Sequence, residues 1–185
     1  AQSATFTNAR SVRTPILDIG YEEHGDPDGT AVILLHGFPY DVRSFDGVVA
    51  PLTAAGHRVL VPWLRGYGPT RFIGNAHPRM AEQAALAQDL IDFADALEIE
   101  RFAVSGFDWG NRAACCAAVL HPERFIGMAS CGGYTVQDTV NPGGAMPARL
   151  AAMFWYMWFF NTDAEDRANW LITHRRSKFF CVHPC

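Results

Sequence analysis

Phe102-Ala103-Val104-Ser105-Gly106-Phe107-Asp108-Trp109-Gly110 starts as a short apolar run, turns through two glycines that flank an aspartate, and leads into a helical stretch ending at Leu120. A G-x-S-x-G sequence between a strand and a helix forms a nucleophile elbow. The glycines allow a sharp turn that presents the central side chain at the carboxyl end of the sheet. Here the central residue is Asp108, so the nucleophile is a carboxylate. A carboxylate is ionised at neutral pH and needs no base to activate it. Its attack leaves an ester on the protein, which suits an sp³ electrophile such as an epoxide or an alkyl halide. The plainer alternative is a tight Gly-Asp-Gly turn in which Asp108 caps the following helix.

Outward from this turn, short β-rich runs alternate with longer helical segments. Ala31–Leu35 (AVILL) is apolar throughout, as in a strand covered on both faces. Arg58–Val61, Phe102–Val104 and Phe125–Cys131 are further strands, and Ile16–Glu23 alternates like an outer antiparallel one. Leu86, Leu90, Phe93, Ala94 and Leu97 share a helical stripe within Met80–Leu97, with Glu82, Gln83, Asp89 and Asp92 on the polar remainder. Trp109–Leu120 is a second helix, closed by His121-Pro122. Such alternation implies crossover connections and a mainly parallel sheet, the α/β class. A Pro- and Gly-rich break at Asn141–Pro147 precedes an aromatic stretch. The expected division is a core over residues 1–136 and a helical cap with an irregular tail over 137–185.

Two more motifs accompany the elbow: His36-Gly37-Phe38-Pro39, directly after the AVILL strand, and Leu64-Arg65-Gly66-Tyr67-Gly68. Together HGFPYD, LRGYG and SGFDWG, with the HPERF that follows, resemble the epoxide hydrolase and haloalkane dehalogenase branch of the α/β-hydrolases. The similarity runs from about Ile16 to Phe160. It implies an oxyanion hole made by the backbone N–H groups of Phe38 and Trp109, with Gly37, Gly106 and Gly110 as the loop and elbow glycines. Donors of this kind are worth roughly 3–4 kcal/mol each to the charged intermediate. His36 reads as a structural histidine bracing its loop, because the fold takes its base from after the nucleophile.

Within that branch, dehalogenases hold the halide with side-chain N–H donors. Trp109 matches one of them, but Phe38 offers no side-chain donor where the other often lies. The resemblance therefore implies an epoxide and a small hydrophobic substrate. Epoxide opening needs a proton donor, which the family supplies from cap tyrosines, and Tyr156 in Phe154–Phe160 (FWYMWFF) matches the first. That run reads equally as an aromatic core helix. Tyr67 and Tyr134 read as loop packing.

The family's histidine base and acidic partner follow the cap, and no match to them is found here. After the elbow helix Cys131-Gly132-Gly133 offers no carboxylate before Asp138. His183 is a weak stand-in base, while His174, beside Arg175 and Arg176, reads as a solvated helix face. The expectation is a chain cut within the cap, its final strands missing, able to form the ester but not to hydrolyse it. Phe125–Cys131 would then be an exposed sheet edge open to self-association. A haloalkane dehalogenase, or a hydrolase scaffold kept as a binding module, are the rival readings.

Composition narrows the partners. A net charge of −4 provides no basic patch for nucleic acid or an anionic membrane. The longest apolar stretch, Leu150–Phe160, is too short to span a bilayer. Five cysteines, an odd number without zinc spacing, read as free thiols, and with no leader evident the expected compartment is the cytoplasm. No metal or organic cofactor is called for by ester chemistry of this kind.

Overall fold

A computed structural model describes residues 9–132 and 147–153. The proposed domain boundary, Tyr134, Tyr156, His174 and His183 lie outside the described residues. The elements in chain order are β1 (Arg10–Arg13), β2 (Leu17–Gly25), β3 (Ala31–Leu35), α1 (Asp46–Ala54), β4 (Arg58–Pro62), β5 (Arg71–Phe72), α2 (Gln83–Ala96), β6 (Phe102–Phe107), α3 (Trp109–Leu120), β7 (Phe125–Cys131) and α4 (Ala148–Met153). A one-turn 3-10 helix, Val42–Phe45, precedes α1.

The sheet order is β1-β2-β4-β3-β6-β7, with β5 paired to β2. β4, β3, β6 and β7 run parallel, while β1, β2 and β5 form the antiparallel flank. Alternation along the central strands sends side chains to two separate cores. Ile33, Leu35, Phe102 and Val104 pack with Leu86, Leu90 and Phe93 of α2 and Ala113 and Ala117 of α3. Val32, Leu34, Val59 and Val61 face the other way and meet Val42, Phe45 and Trp63. Both faces of β3 are thus covered, which is why AVILL carries no polar residue. Helices α1, α2 and α3 make the crossovers β3–α1–β4, β4–α2–β6 and β6–α3–β7, and the elbow lies between β6 and α3.

β7 is the outermost strand among the described residues, and it is exposed from Ile126 to Cys131. Two readings need correction. Asp89, assigned to the polar face of α2, is buried and bonded to Arg65. The strand expected to end at Val104 continues to Phe107, in parallel register with β7 as far as Cys131.

Candidate active site

Asp108 sits between β6 and α3 at φ +51°, ψ −120°. A residue with a Cβ rarely adopts this conformation, which costs about 1–3 kcal/mol. Its side chain makes no capping hydrogen bond to α3, so the helix-capping alternative fails. Instead the Phe38 backbone N–H donates to Asp108 Oδ1 at 2.9 Å, across 70 residues of sequence. One of the two expected oxyanion-loop donors therefore already engages the carboxylate. Trp109, the other, opens α3 in the first turn, where backbone N–H groups lie outside the helix's own hydrogen-bond ladder.

The glycines are fixed by close approach. A Cβ on Gly37 would stand 2.5 Å from Asp108 Cβ, and one on Gly110 would stand 2.1 Å from the Leu35 carbonyl oxygen. A Cβ on Gly106 would meet the Gly110 carbonyl at 2.7 Å. These contacts press the start of α3 against the end of β3 and bring the His36–Pro39 loop onto Asp108. The Phe38–Pro39 peptide is cis.

His36 is completely buried. Its Nδ1 lies 3.1 Å from the Gly37 carbonyl oxygen, and its Nε2 accepts the Leu64 N–H at 3.1 Å. Burial is the main cause that pushes its pKa below the ordinary 6.5, against hydrogen bonding to Gly37 and the charge of Asp41. The ring meets Tyr67 edge to face, with centroids 4.8 Å apart. Burial, then the charge of Asp108, pushes the Tyr67 phenol up to about 12, so it stays protonated.

The Leu64–Gly68 turn is held from behind by Arg65. Its Nε and Nη2 each donate to one Asp89 carboxylate oxygen at 2.6 Å, and it also donates to the carbonyls of Met80 (2.8 Å) and Ala85 (3.2 Å). Neither this pair nor the Leu64 partner of His36 was evident from sequence. Their partners lie 24 and 28 residues apart, and no periodicity links a loop to a distant helix. Next to the elbow, an open groove of about 730 Å³ is lined by Pro39, Tyr40, Asp41, Arg43, Ser44 and Phe107, the residue before Asp108. Among the described residues, no cluster of three or more His, Cys, Asp or Glu could hold a metal ion. Nor is any described helix long and apolar enough to cross a membrane.

The profile of the α/β-hydrolase fold matches residues 30–180. The chain belongs to the α/β-hydrolase fold family. Within that family it is 32 % identical over 162 residues to epoxide hydrolase A of Mycobacterium tuberculosis, covering 83 % of this chain and 49 % of the relative. A haloalkane dehalogenase of Mycobacterium marinum is 27 % identical over 136 residues, covering 71 % of this chain and 44 % of that protein. Among solved structures, a candidate epoxide hydrolase of Klebsiella pneumoniae superposes with a TM-score of 0.77 at 37 % identity, covering 97 % of this chain and 59 % of that one. The α/β-hydrolase chain thus spans about half the length of these two curated relatives.

Proposed function

We propose that this α/β-hydrolase chain carries the nucleophilic half of an epoxide hydrolase site, with Asp108 attacking a small hydrophobic epoxide. The observation that carries this reading is Asp108 itself. It is strained at φ +51°, it does not cap α3, and its carboxylate is held by the Phe38 N–H. An Asp108 oxygen bonds to a ring carbon, the carbon–oxygen bond of the ring breaks, and its electron pair stays on the ring oxygen. That oxygen takes a proton, assigned in this scheme to the Tyr156 phenol. A hydroxyalkyl ester of Asp108 results. Hydrolysis would place water's oxygen on the ester carbonyl carbon, with the N–H groups of Phe38 and Trp109 stabilising the oxyanion. Release of the diol would restore the carboxylate.

Water must surrender a proton in that second step. Both ring nitrogens of His36 are engaged with Gly37 and Leu64, so this histidine is no base for it. His183 is the remaining assignment in this chain. Without an effective base the ester persists.

The test is the intact mass of the thiol-blocked chain after incubation with styrene oxide, run beside a diol assay. A lasting adduct without diol is the expected result. Diol in quantity would mean a working base and overturn the expectation of a stalled ester. Neither adduct nor diol would favour a binding module on the same scaffold. The dehalogenase relative motivates a halide-release assay with an alkyl bromide, where no release is expected because Phe38 has no side-chain N–H to hold the halide.

A further inference from the structure

His36 carries no proton in the scheme above, yet it is wholly buried between the oxyanion loop and the turn after β4. Its hydrogen bonds fix its state. A backbone N–H can only donate, so the nitrogen facing Leu64 must hold its lone pair. The proton then sits on Nδ1 and is directed at the Gly37 carbonyl. Gly37 precedes Phe38, whose N–H holds Asp108 Oδ1, and Leu64 precedes Arg65, which is fixed to α2 through Asp89. The ring therefore joins two loops, one set by α2 and the other set on the nucleophile.

We infer that neutral His36 is a positioning residue for Asp108, clasping the oxyanion loop to the Leu64 turn, and that protonation of its ring opens the clasp. This rests on reading Asp108 as the nucleophile. An imidazolium has no lone pair for the Leu64 N–H and would oppose one donor with another. Several groups face the ring. From its own loop come the Asp41 carboxylate and the Tyr40 backbone, both favouring protonation. From the turn after β4 come the Tyr67 ring and, one residue beyond Leu64, the Arg65 guanidinium, already committed to Asp89. From the elbow comes Asp108, against Gly37. Burial outweighs the hydrogen bonds to Gly37 and Tyr40 and the charge of Asp41 and keeps the ring neutral, so the clasp is closed above pH 6.5 and opens only at more acid pH.

The experiment measures the initial rate of adduct formation with styrene oxide on the thiol-blocked full chain, from about pH 8 to about pH 5, beside ¹⁵N spectra of the His36 ring. Wild type is compared with His36→Ala and His36→Gln. The glutamine carbonyl can accept the Leu64 N–H but does not titrate, while any proton dependence of Asp108 is common to all three. Expected are an Nδ1-protonated ring at neutral pH and a rate in His36→Ala about tenfold lower, the effect of losing one buried hydrogen bond. His36→Gln should recover most of that loss and keep its rate at acid pH where the wild type falls. An Nε2-protonated ring, a wild-type rate in His36→Ala, or the same acid fall in His36→Gln would each overturn the clasp. Should His36→Ala not fold, His36→Gln alone decides. Absence of any adduct in the wild type at every pH would instead overturn the nucleophile and the clasp with it.

Discussion

The strain at Asp108 is held in place by its surroundings, which makes single substitutions there informative. Asn tolerates positive φ better than most residues and keeps an acceptor for the Phe38 N–H, but its amide is not a nucleophile. Asp108→Asn should therefore leave stability within about 1 kcal/mol of wild type in urea unfolding while abolishing the adduct. Gly37→Ala drives a Cβ against Asp108 Cβ, 2.5 Å away, so Asp108 must move. The expected result is a loss of about 1–3 kcal/mol in stability and an adduct rate at least about tenfold lower. His36 adds a pH dependence to stability. Its folded pKa lies below the unfolded value, so the unfolded chain takes up the proton first. Its contribution is complete above pH 6.5 and is lost as pH falls from there through the lower folded value; denaturation midpoints at stepped pH values, with His36→Gln as control, would show it. At this scale the glycine spacing disclosed the elbow at Asp108, since a Cβ at those positions is excluded sterically. It disclosed nothing of the carbonyl and amide that hold His36.

Between elements, the Arg65–Asp89 pair ties the Leu64–Gly68 turn to α2 in a nearly dry setting. Removing one partner from such a pair leaves the other charge buried, typically at a cost of about 3–5 kcal/mol. Asp89→Ala is expected at the lower end of that range, because Arg65 keeps the carbonyls of Met80 and Ala85. Arg65→Met combined with Asp89→Leu should recover much of the loss, and urea midpoints of the single and double variants would check both statements. From sequence alone Asp89 looked solvated, since helical periodicity identifies an apolar stripe but not a polar residue matched to a distant loop. β3, α3 and β7 were legible to the residue, owing to an unbroken apolar run, the elbow and His121-Pro122. α1 was not: it contains Gly47 and Pro51 and buries none of its residues, so it carries no stripe to read.

At the scale of the molecule, the parallel sheet and its two cores follow from the alternation of apolar runs with amphipathic helices. Of the expected cap region only residues 147–153, with α4, are described. β7 (FIGMASC), an outer strand among the described residues, contains no charge and no proline, the usual means of blunting an edge. We propose that it supports self-association. Met128→Lys, at a half-exposed position on that strand, should then lower the average mass seen by light scattering, and a monomeric wild type would contradict the idea. Thiols bear on the central test. Cys115 and Cys116 are buried, and burial pushes both thiols up, which suppresses the reactive thiolate. Cys131 is exposed and could take an epoxide in place of Asp108. The most direct measurement is therefore peptide mapping of the thiol-blocked chain after treatment with styrene oxide, wild type beside Asp108→Asn. One ester on the peptide containing Asp108, absent from the variant, is the expected result. Adducts elsewhere, or the same adduct in both proteins, would contradict Asp108 as the nucleophile.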